Sequence, residues 1–260
     1  MAIQSFDPSV PNIARVYDYW LGGKDNFAAD REMAAQILRA YPLAATLAQE
    51  NRGFLARAVD FVAAQGVGQF IDVGAGLPTH PCTHEVARQQ VPDARVVYVD
   101  NDPVVISHIA ALVRSAGVGP VTGDMHDPEA ILGAPEFGEL IDLDKPACVI
   151  MGMVLHFATP EEATRIVSGF VRHLVAGSYL ILSVGTNTDA ELADRVIRTY
   201  RAGNLHEHSK AQIASYLDGF DIAEPGLCDA RAWRTQWHTS DEVRPAYLLA
   251  GVGCKRPTPL

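Results

Sequence analysis

The chain has 260 residues, 48% hydrophobic and 20% charged, which suits one large α/β domain or two small ones and is too balanced for a disordered or fibrous protein. Its 31 acidic against 21 basic residues give a formal charge of −10 with no Lys/Arg cluster, so neither a nucleic-acid partner nor an anionic membrane surface gains support. The N-terminus lacks a basic and an apolar signal region, and the longest apolar stretch, Ala147 to Leu155, is far short of the roughly 18 residues a membrane span needs. Four scattered cysteines without a CxxC pair fit a reducing compartment, so a cytoplasmic protein is expected.

In chain order, Ile13, Val16, Tyr17 and Trp20 share one helical face, Leu21-Gly22-Gly23-Lys24 breaks that helix, and Ala28 to Ala40 resumes helical composition. A further helix is expected from about Leu43 to Ala64, stopped by Gly66 and Gly68. Short continuous apolar runs follow at Phe70–Val73, Val96–Asp100, Ala147–Met151 and Tyr179–Ser183, each suited to a parallel strand buried on both faces. Helices are expected between them over Thr83–Gln90, Pro103–Ala116 and Glu161–Leu174, the last opened by Thr159 as N-cap, Pro160 at N1 and Glu162 at N3. Ser209 to Gln212 forms a second capping box, and Phe220–Ile222 and Ala246–Val252 read as a closing antiparallel strand pair. The alternation predicts a doubly wound, mostly parallel α/β sheet.

The strongest local signal is Phe70-Ile71-Asp72-Val73-Gly74-Ala75-Gly76-Leu77-Pro78-Thr79, a buried strand running into a Gly-rich turn. Glycine there lets backbone approach a ligand, and such a turn alone serves NAD, FAD or S-adenosylmethionine (SAM) equally well. Asp72 places a carboxylate at the strand end, where it suits an amino-acid ammonium and repels a pyrophosphate. Pro78 is followed by Thr79 at the position where a dinucleotide fingerprint has its third Gly. Both features favour SAM over NAD. Asp100 ends the second strand 24 residues after Gly76, placed to accept from ribose hydroxyls. After the expected third strand, Asp124 and Met125 offer an acceptor and an apolar cover for an adenine; capping of the next turn explains Asp124 equally well.

These pieces resemble the actinobacterial S-adenosyl methyltransferase family (Methyltransf_19 type), formerly a domain of unknown function. The resemblance runs through Pro11 to Phe27, Gly76-Leu77-Pro78-Thr79, Thr83-His84-Glu85-Val86-Ala87, Val97 to Pro103, Leu155-His156-Phe157, Gly177 to Leu180 and Glu224-Pro225-Gly226-Leu227, nearly the whole chain. It implies a class I (Rossmann-like) methyltransferase fold with a seven-stranded sheet, antiparallel at the last strand, and a single domain whose residues 1–65 form an N-terminal helical cap over a SAM-binding core of residues 66–260. It also implies that Gly74 and Gly76, with Ala75 between them, line the methionine part, Asp100 with Asn101 the ribose, and Asp124 with Met125 the adenine. Gly-Ala-Gly and Pro81-Cys82 depart from the family pattern.

The segment Tyr17 to Phe27 is an unusual mixture for a solvated helix end. Tyr17 can wall a cavity, Gly22 and Gly23 can hinge a lid that excludes water, Lys24 can meet the SAM carboxylate, and Asp25 or Asn26 its ammonium. A helix merely docked by Tyr17 and Trp20, its charges in solvent, fits the same residues. His80 and His84 are spaced i, i+4 as metal ligands can be, but no third ligand is adjacent, and no metal is expected. His156 follows the fourth strand, where a base near neutrality can deprotonate an acceptor, though methyl transfer can proceed by proximity alone. The expected function is methyl transfer from SAM to a small-molecule acceptor. A SAM-binding protein without transfer activity is the alternative, and an NAD-dependent oxidoreductase is disfavoured by Asp72 and by Pro78-Thr79.

Overall fold

The computed structural model describes residues 7–113, 115–186, 205–235 and 248–257. Three helices come first: α1 (Ile13–Trp20), α2 (Ala28–Ala40) and α3 (Ala44–Ala64). The α/β alternation follows as β1 (Gln69–Val73), α4 (Thr83–Ala87), β2 (Arg95–Asp100), α5 (Pro103–Leu112) and β3 (Val118–Thr122). Then come α6 (Pro128–Leu132), α7 (Pro135–Leu140), β4 (Cys148–Gly152), α8 (Pro160–Val171) and β5 (Tyr179–Gly185). The described chain closes with α9 (Lys210–Ser215), β6 (Phe220–Ile222), β7 (Cys228–Asp229) and β8 (Leu248–Lys255).

The strands form one sheet in the order β3-β2-β1-β4-β5-β8-β6, with the two-residue β7 added on β8. The five strands β1 to β5 are parallel, and β8 runs antiparallel to both β5 and β6. The closing antiparallel pair is thus present, and β7 is an eighth strand that two residues of sequence do not announce. Ala246 and Tyr247, expected at the start of the last strand, lie outside the described residues.

The continuous apolar runs are buried on both faces, as parallel strands must be. Ile71, Val97, Val149 and Leu180 pack with Ile131, Ile166 and Phe170 on one face. Phe70, Val96, Cys148 and Ile181 pack with Phe54, Ala58, Val62 and Trp233 on the other. Val16, Trp20, Met33, Ile37, Ala44 and Ala48 form a smaller third cluster. Helix α3 belongs to two of these cores, so packing marks no boundary near residue 65. Both expected capping boxes form, on Thr159 and Ser209. Helix α4 stops three residues early because Gln89 and Gln90 donate to Val86 and Ala87 in i→i+3 turns that tighten its end. No helix among the described residues is long and apolar enough to cross a membrane.

Strand order reverses at β1, which lies between β2 and β4. Chains leaving β1 and β4 diverge there, and a crevice opens at the carboxyl ends of the strands. This crevice is the candidate site.

Candidate active site

A cavity of about 420 Å³ occupies the crevice. Its floor is the turn after β1. Gly74 and Ala75 donate their N–H groups to Val99 O at 2.8 and 3.0 Å, which folds the chain back against β2. Gly74 and Gly76 both have left-handed backbone, φ 67° and 65°. A Cβ on Gly74 would come within 2.4 Å of Val154 Cγ1, whereas one on Gly76 would meet nothing within 4 Å. The Gly76 backbone therefore faces open cavity, free for close approach by a ligand.

Two carboxylates flank this turn. Asp100 accepts from Gly76 N–H through Oδ2 and from Asp102 N–H through Oδ1, both at 2.9 Å, and burial raises its pKa. Asp72 is 8% exposed and accepts from Thr83 Oγ1 at 2.7 Å. Burial pushes the Asp72 carboxyl up to about 6, against the lowering effects of the Thr83 hydrogen bond and the Arg52 charge. Ala75, Asn101, Asp124 and Met125 also line the cavity. Asp124 caps a turn as well, accepting from His126 N–H at 3.0 Å. Burial works to raise its pKa, but the hydrogen bonds from His126 outweigh it and the net shift is downward.

The opposite wall comes from the N-terminal helices. Tyr17 lines the cavity and donates to Ala48 O at 2.9 Å, while Asn51 Nδ2 donates to Tyr17 Oη at 3.0 Å. Ser183 Oγ donates to Asn51 Oδ1 at 2.6 Å and accepts from Met153 N–H at 3.1 Å. This chain of bonds joins α1, α3, β5 and the exit of β4, where Met153 takes a left-handed backbone uncommon for a residue with a side chain (φ 55°). Burial pushes the Tyr17 phenol up to about 12.

Of the residues singled out by sequence, Tyr17, Asp72, Gly74, Ala75, Gly76, Asp100, Asn101, Asp124 and Met125 come together on the cavity, and Gly22, Lys24, Asp25, Asn26 and His156 are not among its lining. The Gly22–Asn26 turn spends its polarity on Asp18 instead. Asp18 Oδ2 accepts from Asp25 N–H at 3.0 Å and Asn26 Nδ2 at 2.9 Å, and burial raises its pKa. Gly23 is required there, because a Cβ would lie 2.0 Å from Asp18 Oδ1. Lys24 is exposed. His156 is 7% exposed behind the wall, burial pushes its imidazole down to about 3, and Nδ1 has no hydrogen-bond partner among the described residues. A neutral, enclosed ring of this kind is poorly placed as a general base.

Among the lining residues that sequence reading missed are Asp18, Asn51 and Arg52. Arg52 brings a guanidinium to the cavity and donates to Thr79 O at 2.8 Å and Pro81 O at 3.0 Å, holding the chain that leaves the Gly-rich turn. A signal existed for its neighbour. Asn51 shares the buried face of α3 with Leu47, Phe54 and Ala58, and a polar residue on such a stripe demands partners. The i, i+4 spacing of His80 and His84 does not place them on one helical face, because α4 begins only at Thr83. His84 Nδ1 pairs with Tyr98 Oη at 2.8 Å. His80 joins Cys82 and Glu85 in a small donor cluster, in which Glu85 Oε2 accepts from Cys82 N–H at 2.7 Å and lies 2.9 Å from His80 Nδ1.

The sheet order is that of a class I methyltransferase fold, and the family match makes the chain a SAM-dependent methyltransferase. The chain belongs to the S-adenosyl methyltransferase family, whose model matches residues 1–256. Among solved structures it is similar to a candidate methyltransferase from Thermobifida fusca YX, with 37% identity, TM-score 0.90, and 95% and 96% of the two chains covered. A DUF574 family protein from Streptomyces avermitilis MA-4680 is similar at 35% identity and TM-score 0.90, covering 96% of this chain and 99% of that one. Human N-acetylserotonin methyltransferase in complex with SAM shares the fold at 12% identity and TM-score 0.52, over 95% of this chain and 63% of that one. A search of curated proteins finds no match.

Proposed function

We propose that this cavity holds SAM across the carboxyl ends of β1 to β3 and presents its methyl group to a small-molecule acceptor over the end of β4. The single observation that carries the reading is the charge pattern of one cavity. Asp72 and Asp100 carboxylates, an open Gly76 backbone and the Arg52 guanidinium converge there, and they match an ammonium, a ribose diol, a close-packed chain and a carboxylate in turn. In this reading Asp72 faces the ammonium and Arg52, rather than Lys24, takes the carboxylate. Asp100 with Asn101 accepts from the ribose hydroxyls, and Asp124 with Met125 brackets the adenine. Gly22, Asp25 and Asn26 act by shaping the Asp18 turn.

Bound there, SAM supplies an electrophilic methyl group whose C–S electrons stay on sulfur. The protein's part is to orient that group and to keep water away. Leu55, Met153, Val154 and Phe157 give the β4 end of the cavity an apolar wall, and Tyr17 and Asn51 have their hydrogen bonds committed to the scaffold. Transfer by proximity, with no protein base, is the mechanism this supports. A cytoplasmic enzyme without a nucleic-acid partner fits the net charge of −10.

The test uses SAM carrying a labelled methyl group, incubated with the protein and a fractionated Streptomyces extract. Label in the small-molecule fraction supports the reading. Label in RNA, DNA or protein overturns it.

A further inference from the structure

The N-terminal block has a second buried charge cluster, behind the cavity. Arg15, on α1, is 3% exposed and sits between two carboxylates. Its Nε donates to Asp30 Oδ2 on α2 at 3.0 Å, and its Nη1 donates to Asp102 Oδ2 at 3.1 Å. Nη2 donates to Val10 O at 2.8 Å. Asp30 and Asp102 are 0% and 6% exposed, so both carboxylate bonds are made away from water. Asp30 also accepts from Asn12 N–H and Phe27 N–H, which folds the block around the guanidinium.

Asp102 is the N-cap of α5, its Oδ1 accepting from Val104 N–H at 2.8 Å, and its own N–H donates to Asp100 Oδ1 at 2.9 Å. An unbroken run of bonds therefore leads from the cap, through Arg15 and Asp102, to the carboxylate that ends β2. The geometry points to Arg15 as a positioning residue, which fixes the Asp100 carboxylate for the ribose diol from the far side of the β2–α5 turn. The inference rests on the proposed place of the ribose at Asp100.

A carboxylate that must accept from two vicinal hydroxyls needs a fixed plane, and Asp100 has one oxygen tied to the glycine turn and the other to the Asp102 backbone. Holding the Asp102 side chain from both Val104 and Arg15 immobilises that backbone. In addition, Asp102 carries a charge that works to raise the Asp100 pKa, and Arg15 stands on the far side of Asp102 as its counter-ion. A guanidinium reaches three partners at once here, which an ammonium cannot.

The test is a ligand–variant cycle by calorimetry on the full chain, with S-adenosylhomocysteine (SAH) and its 2′,3′-dideoxy analogue as probes. Wild type should bind SAH about tenfold or more tighter than the analogue, the value of lost hydrogen bonds to a charged group. In Arg15→Met that preference should collapse toward unity, because SAH weakens and the analogue does not. Arg15→Lys keeps the charge and guards against failure to fold, and should lie between the two. If wild type fails to discriminate, the ribose assignment itself falls and the inference with it. If wild type discriminates but both Arg15 variants weaken the two probes equally, Arg15 serves stability alone and only the inference falls.

Discussion

Arg52, from the middle of α3, donates to the carbonyls of Thr79 and Pro81, just beyond the Gly-rich turn. One guanidinium thus braces the loop that leaves β1 and also lines the cavity over which that loop bends. Replacing Arg52 by Met should weaken SAM by about tenfold or more, as loss of a charge-assisted bond does. 5′-Methylthioadenosine, which lacks the amino-acid end, should bind the variant as it binds wild type. Calorimetry with both ligands checks this, and equal losses would mean that Arg52 serves only the loop.

Asp72 gives a pH dependence with a definite sign. Burial raises its pKa in the folded protein from 3.8 to about 6. The folded state therefore binds the proton more tightly than the unfolded chain, and stability falls as pH rises from about 4 to about 6, by about 3 kcal/mol at most from this group. Asp72→Asn should be more stable than wild type at pH 8, and the gap should narrow at pH 5. SAM should bind wild type more tightly as pH rises through about 6, and Asp72→Asn should lose that slope. Urea unfolding and calorimetry at the two pH values measure both effects.

The two glycines should respond differently to alanine. Both have left-handed backbone, so each substitution pays roughly 1–2 kcal/mol of strain. At Gly74 the new Cβ also meets Val154 at 2.4 Å, whereas at Gly76 it enters open cavity. Gly74→Ala should lower the melting temperature more than Gly76→Ala. Gly76→Ala should show its main effect in SAM affinity. The reverse order in melting would contradict the close approach of Val154.

His156 should stay neutral throughout the working range. Burial, followed by the nearby His208, pushes its pKa down to about 3. Unfolding frees the ring to bind a proton at its ordinary value, so this group withdraws stability as pH falls below about 6.5 toward 3. An NMR titration should show no His156 shift change between pH 5 and 8. A midpoint near 6.5 would place the ring in water and restore it as a base.

Where chemistry and fold are local in sequence, they are legible. Asp72, Gly74 and Gly76 lie within five residues at the end of one strand, and Asp100 ends the next, so spacing alone assembles them. Thr159 and Ser209 cap their helices as read, because a capping box is complete within four residues. Arg52 was invisible for the opposite reason. It stands on a helix two dozen residues before Gly76 in a run of ordinary composition, and only tertiary packing brings it to the turn. Lys24 stands out in the sequence because its neighbours are unusual, yet their polarity is consumed by Asp18. The Pro11 to Phe27 block was recognisable as a pattern, while its physical purpose, a buried Arg15 between Asp30 and Asp102, depends on a partner 87 residues away.

The central claim is that the cavity holds SAM with its ribose on Asp100. Isothermal titration of SAM, SAH and NAD into wild type and Asp100→Ala tests it most directly. The account expects SAM and SAH to bind wild type, NAD to give no heat, and Asp100→Ala to lose about 1–3 kcal/mol of SAM affinity. Heat from NAD alone, or an unchanged SAM affinity in Asp100→Ala, would contradict it.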